Sequence, residues 1–176
     1  MYERFVADHA RPFPGARVLD VGCGTGDIAR FLGDVEYVGI EPNDDYVASA
    51  QRNLGEHGRV FRGGIERVAG LTALPYDLIL FVGVLHHLSD ELVARHVGEL
   101  ADCLAPGGRL VAIEATLFEK QPFLARTFAR LDRGKYVRTP GAYRELLCAE
   151  FSDVRTFLRG DLLRLPYVHC VIEVSA

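Results

Sequence analysis

Three glycines at alternate positions, Gly22, Gly24 and Gly26, follow Asp20 in the stretch VLDVGCGTGD. Glycine lets a chain turn sharply and lets a ligand approach main-chain atoms that a Cβ would shield. A dinucleotide pyrophosphate is one such ligand, but its fingerprint is G-x-G-x-x-G, and Asp27 stands where the third glycine would fall. Asp20 puts a carboxylate at the mouth of the loop, which repels a phosphate and welcomes a cation. Glu41, at the end of VEYVGIE, is placed to accept hydrogen bonds from both hydroxyls of a ribose. Together these residues describe a site for a nucleoside whose tail is zwitterionic rather than phosphorylated.

A second group of residues could move protons. His86 and His87 in VLHHLSD are candidate general bases, because imidazole titrates near neutrality and can take a proton from an attacking hydroxyl or amine. His86 comes first, being nearer the end of the preceding apolar run; the alternative is that one of the two packs or caps the loop. Glu114, at the end of the fifth run, and Tyr167 and His169, at the start of the last, are further polar groups at strand ends. His96 falls on an apolar helix face and reads as structural.

From Lys120 to Arg144 seven basic residues (Lys120, Arg126, Arg130, Arg133, Lys135, Arg138, Arg144) stand against one acid, Asp132, a local charge of 7 − 1 = +6. The whole chain carries −4, so the remainder carries −4 − 6 = −10. Such polarity either steers an anionic substrate or marks a solvated helix with Leu124, Phe128 and Leu131 packing inward and the arginines outward. Tyr136 and Tyr143 are candidate pocket walls.

These residues need a scaffold, and the chain supplies one in alternating periods. β-Branched runs ARVLDVG, VEYVGIE, GRVFRG, YDLILFVG, GGRLVAIEA, VRTFL and YVHCVIEVS predict seven strands. Between them, TGDIARFLG predicts a helix with Ile28, Phe31 and Leu32 on one face, capped by Thr25 and stopped at Gly33. NDDYVASAQRNLG predicts a second behind Asn43 and Asp44, with Tyr46, Val47, Ala50 and Leu54 inward. SDELVARHVGELADCL predicts a third, opened by Ser89. Strand–helix alternation implies an α/β fold, a Rossmann-like doubly wound sheet of seven strands, mostly parallel. The last two runs are too close for another crossover, so the final strand is antiparallel.

The chain has 176 residues, 49% of them apolar and 25% charged, the balance of one globular domain. The net charge of −4 argues against general nucleic-acid binding. No stretch reads as a signal peptide or membrane span, so the expected location is cytoplasmic, with no membrane partner. The four cysteines have no paired spacing, so no metal site or disulfide framework is expected and the thiols read as reduced and mostly buried.

VLDVGCGTGD, VGIEPNDDYVASA, YDLILFVGVLHHLSD and LAPGGRLVAIEA, in that order, resemble the successive motifs of class I S-adenosylmethionine-dependent methyltransferases over residues 16 to about 115. The resemblance implies S-adenosyl-L-methionine as cofactor. It implies that Asp20, Gly22, Cys23, Gly24 and Gly26 border the methionine part and that Glu41, with Pro42 beside it, holds the ribose. Tyr46 would pack beside the adenine. Gly64 takes the place of a common acid, leaving Ile65 to offer its backbone N–H and an apolar wall, and the Phe81 carbonyl would meet the ammonium group. The family often builds its substrate lid between the fifth and sixth strands, here about 117–147, and sets the seventh strand beside the fifth, which implies that Glu114, Tyr167 and His169 meet at the exit of the sheet, where a Glu–His pair would orient a base or make a structural hydrogen bond.

The expected function is methyl transfer to oxygen or nitrogen of a small, possibly anionic, molecule. Tyr2 and Arg4, or a partner subunit in a homo-oligomer or other assembly, would close the methionine end. The rival readings are a cofactor-binding partner or activator without transferase activity and, further off, a nicotinamide-dependent oxidoreductase.

Overall fold

The computed structural model describes residues 1–70, 75–132 and 134–175. Seven strands form one sheet: β1 (Ala16–Val21), β2 (Val35–Glu41), β3 (Gly58–Arg62), β4 (Tyr76–Val82), β5 (Leu104–Ala115), β6 (Asp153–Arg159) and β7 (His169–Ser175). Their order is β3-β2-β1-β4-β5-β7-β6, and β7 runs antiparallel to both neighbours. All seven predicted strands are present, and the doubly wound reading holds. The order reverses between β1 and β4, which pair in parallel from Val18↔Leu78 to Val21↔Phe81, and the crevice beyond their carboxyl ends is where such sheets bind ligands. Central strands are sealed on both faces, so β1 and β4 are mostly apolar along their length, Leu78 to Val82 without a break.

One face is covered by α3 (Asp90–Asp102) and α5 (Pro140–Leu147), burying Val93, Val97, Leu100, Tyr143 and Leu147 against Ile79, Leu110 and Ile172. The other carries α2 (Asp44–Leu54) and a short amino-terminal helix, α1 (Tyr2–Phe5), which runs on as a π-turn over Val6–Ala10. The caps follow the sequence reading: Asn43 Oδ1 accepts from the backbone of Asp45 and Tyr46, and the Ser89 hydroxyl accepts from Leu92 N. His96 is buried on the inner face of α3, with Nδ1 2.7 Å from Glu99. Cys23, Cys103 and Cys170 are buried and Cys148 is exposed, all free.

Three local expectations are corrected. The first crossover is not an α-helix but a 3₁₀ turn, Asp27–Phe31, because Gly26 and Gly33, both at φ +74°, leave too little chain between them for more. Thr25 does not cap it and instead donates its hydroxyl to Asp27 Oδ2 at 2.6 Å, while Phe31 turns outward. The space a longer helix would cover is filled by Phe5, Val6 and Ala10; Arg109 reaches across to the carbonyls of His9, Ala10 and Arg11 and so caps the π-turn.

Tyr143 is no pocket wall. It is fully buried on α5 and donates to the Ala115 carbonyl at 2.9 Å. Finally, on α4 (Phe123–Leu131) it is Ala125 and Ala129 that face inward, while Leu124, Phe128 and Leu131 are exposed. The small alanines allow the helix to lie close to the body of the protein, and the large side chains point away.

Candidate functional site

The glycine-loop end of the crevice is built from main chain. β1 and β2 finish side by side, Val21 opposite Ile40, and the backbone N–H groups of Gly22 and Cys23 both donate to the Ile40 carbonyl at 2.8 and 3.0 Å. Gly22 and Gly24 follow at φ +74° and +54°, a region that disfavours any side chain. A Cβ on Gly22 would lie 2.6 Å from Val84, whereas one on Gly24 would meet nothing within 4 Å. Close approach to the loop after β4 therefore demands the first glycine, and the second leaves its backbone open to the crevice.

Glu41 holds this loop in place. Its carboxylate accepts from Gly24 N and from Asn43 N, each at 2.9 Å, which ties the end of β2 to both the glycine turn and the start of α2. Asp20 is 1% exposed; Oδ2 accepts the Tyr37 hydroxyl at 2.6 Å and Oδ1 has no partner among the described residues. Burial, with the nearby Glu41 charge adding to it, outweighs the Tyr37 bond and pushes the Asp20 carboxyl up to about 7. A buried acceptor without a donor is costly, and a cationic group set against Oδ1 would relieve that cost and recharge the carboxylate.

Asp20, Gly22, Cys23, Gly24 and Tyr46 line one cavity of about 300 Å³, together with Tyr2, Thr25, Asp27, Ile28 and Val82. Tyr2 thus stands where it was expected, but Arg4 does not: its guanidinium donates to the Asp161 carbonyl at 2.7 Å, fastening α1 to the β6–β7 connection. Gly26, Glu41, Pro42, Gly64, Ile65 and Phe81 do not line this cavity. Gly64 N donates to Glu66 Oε1 at 2.9 Å, so an acid two residues on occupies that turn, while Ile65 and Phe81 are buried. A larger hollow, about 950 Å³, opens at the amino-terminal ends of β1, β2 and β3, the end opposite the glycine loop.

The second region is built from side chains. Glu114 at the end of β5 accepts from the backbone of Val84, Leu85 and His86, and its Oε2 lies 2.5 Å from His86 Nδ1. The expected Glu114–His169 pair is not formed, because Glu114 lies opposite Cys170 while His169 lies opposite Ala115, and neighbouring residues of a strand face opposite ways. His86 Nε2 is 3.0 Å from Asp132 Oδ1. With both ring nitrogens on carboxylates the ring donates twice and carries a charge; burial alone would lower its pKa, but Glu114 and then Asp132 raise it.

His87, stacked on His86 with ring centres 4.3 Å apart, is the exposed member of the pair. Burial and then the His86 charge lower its pKa, which leaves it unprotonated at neutral pH. His169 stacks on Tyr167 and is pushed down to about 4 by burial, its Nδ1 without a partner.

Asp132 and Arg138 were not singled out as site residues in the sequence, although Asp132 is the lone acid among seven bases there. Its Oδ1 accepts from Gly134 N at 3.0 Å and its Oδ2 accepts the Tyr167 hydroxyl at 3.1 Å. Arg138 is 8% exposed and donates to Asp90 and to the carbonyls of Leu85, Leu88 and Tyr136, while Tyr136 N donates to the His86 carbonyl. The segment after α4 is thereby pinned to the loop after β4. Tyr136 remains half exposed at the rim, and Arg133 lies outside the described residues. Among the described residues His86, His87 and Asp132 bring donor atoms within 4.8 Å of one another, a grouping of metal-ligand types. Both nitrogens of His86 are already engaged by carboxylates, so a metal would have to displace the Asp132 contact.

Comparison with known proteins agrees with this division. The signature of the "Methyltransferase domain" family matches residues 18–108. A tRNA U34 carboxymethyltransferase from Klebsiella pneumoniae is 35% identical over 114 residues, 60% of this chain and 33% of that protein. A ubiquinone biosynthesis O-methyltransferase from Maricaulis maris is 28% identical over 93% of this chain and 66% of its own length. The chain thus spans from a third to about two thirds of these relatives. In fold it is similar to the magnesium protoporphyrin IX methyltransferase of Synechocystis PCC 6803 with bound SAH, with a TM-score of 0.72 at 21% identity over 99% of this chain and 79% of that one. The match to the family signature covers more than half of the chain and falls on the loop, the strand ends and the crevice described above, so the chain belongs to the class I S-adenosylmethionine-dependent methyltransferase family.

Proposed function

We propose that the chain binds S-adenosylmethionine at the glycine loop and catalyses transfer of its methyl group to an oxygen or nitrogen of a small molecule. The observation that carries this reading is Asp20, a fully buried carboxylate whose Oδ1 has no partner among the described residues, on the wall of a cavity about the size of part of a nucleoside. Bound there, the cofactor supplies a methyl group already activated by a sulfonium leaving group. The chain's own task is to bind, align and exclude water. Asp20 and the open backbone at Gly24 suit the charged methionine end, Glu41 has lone pairs to spare for ribose hydroxyls, and Tyr46 offers a half-exposed ring for the base. A phosphate would meet two carboxylates here, which speaks against a nicotinamide dinucleotide.

At the other end His86 acts as a positioning residue. Held between Glu114 and Asp132 it is favoured in its protonated form, and burial, with the His86 charge adding to it, favours neutral His87. His87 is the group to take a proton from an attacking hydroxyl or amine. The acceptor is read as small because a chain of net charge −4 has no general attraction for a nucleic-acid backbone. Calorimetry with S-adenosylhomocysteine tests the first half: binding to the wild type, and at least tenfold weaker binding to Asp20→Asn, which is about 1.4 kcal/mol. Binding of NADH instead would overturn it. Methyl transfer from labelled cofactor to a panel of phenols, carboxylic acids and amines tests the second.

A further inference from the structure

Helix α4 presents its apolar side chains to solvent. Phe123 is 81% exposed, Leu124 58%, Phe128 39% and Leu131 74%, while Ala125 and Ala129 are each 1% exposed. At 100° per residue these four fall within an arc of about 140° opposite the alanines, and the exposed Arg126 and Arg130 lie along one border of it. Lys120 and Lys135, also exposed, stand before and after the helix. Leu165, 60% exposed, belongs to the β6–β7 connection, whose Tyr167 donates to Asp132 immediately after α4. That bond holds the connection at the carboxyl end of α4.

We propose that this face docks on the surface of an anionic lipid bilayer. The stripe is one nine-residue helix, about 14 Å long and 10 Å wide, several-fold short of the roughly 800 Å² per partner that a stable protein interface buries. It is large enough for shallow insertion between headgroups, where apolar side chains enter the acyl boundary and flanking cations meet anionic lipids. Charge complementarity favours that partner: Lys120, Arg126, Arg130 and Lys135 are exposed on and beside the helix in a chain whose net charge is −4, so a negative surface draws this face and repels the rest. Among the described residues no helix is long and apolar enough to cross a membrane; docking at the surface needs none, and it departs from the expectation of no membrane partner. The face stands on its exposure and charge and does not depend on the methyl-transfer reading.

Co-sedimentation of the full chain with vesicles tests it. The expected result is association with phosphatidylcholine vesicles containing phosphatidylglycerol, at least tenfold weaker with pure phosphatidylcholine or in high salt. Phe128→Asp with Leu131→Asp, and separately Arg126→Glu with Arg130→Glu, should each abolish association and leave the melting temperature unchanged, since these side chains are exposed. No association with either vesicle, association that the variants leave intact, or a dimer in light scattering that Leu131→Asp dissociates would overturn the proposal, the last in favour of a protein partner.

Discussion

The glycine-loop end and the histidine end of the crevice are built on different plans. From Asp20 to Tyr46 every contributor lies within two strands and their connections, and the contacts are mostly to main chain: Gly22 and Cys23 to Ile40, Gly24 and Asn43 to Glu41. The other end gathers side chains from distant elements: Glu114 from β5 and Asp132 from beyond α4 meet the His86 ring, Tyr167 from the β6–β7 connection donates to Asp132, and Glu114 also ties down the main chain of Val84, Leu85 and His86. A site made of backbone tolerates little change in its residues. One made of side chains on an insertion can be re-specified without disturbing the sheet, which is the division a fold needs to keep one cofactor and vary its acceptor.

The largest effect that would sharpen this contrast is expected at His87. His87→Ala should lower kcat by about 10²–10⁴ while cofactor affinity stays within about twofold, as steady-state rates and calorimetry would show. An equal loss of both would mean that the two ends are not separable. Next comes Arg138→Met, which leaves the carbonyls of Leu85 and Leu88 without their donor and the insertion unpinned. A stability loss of about 3 kcal/mol is expected, read as a melting temperature roughly 6–12 °C lower, with S-adenosylhomocysteine affinity little altered once folded. Smaller again is Glu41→Ala, with cofactor binding at least tenfold weaker, about 1.4 kcal/mol, and turnover at saturating cofactor nearly intact.

The same contrast explains what the sequence disclosed. The seven strands, their antiparallel close and the Asp20–Glu41 pair are consequences of spacing over short stretches, and periodicity reports such spacing directly. Glu114 and His86 are twenty-eight residues apart, and their meeting depends on parallel pairing of β4 with β5, which no local pattern records. Strand alternation could have excluded His169 as Glu114's partner, given the register. The face of α4 was illegible for another reason. Phe123, Leu124, Ala125, Phe128, Ala129 and Leu131 are all apolar, so hydrophobicity surrounds most of the helix, and only the size difference between alanine and the rest hints at which side lies close. The first crossover failed through length: the spacing of Ile28 and Leu32 suits an α-helix, but the two flanking glycines cut it to one turn.

The finest test is of Asp20 and concerns pH. Unfolded, its carboxyl titrates near 3.8; folded and ligand-free it is held near 7 by burial. Between those values the folded chain keeps a proton that the unfolded chain has lost, so this group's contribution to stability is present below about pH 4, falls as pH rises toward 7, and is flat above. A cation against Oδ1 acts in the opposite sense, because it favours the charged carboxylate and makes binding below pH 7 release a proton. Cofactor affinity should therefore rise about threefold between pH 6.5 and 7.5 through this group alone, with proton release visible as a dependence of binding heat on buffer. Asp20→Asn should flatten that rise and, at pH 8 without ligand, melt roughly 3–6 °C above the wild type, because it removes a buried charge that only the ligand neutralises. If the variant melts lower and its affinity still climbs with pH, Asp20 serves the fold and does not hold the cation.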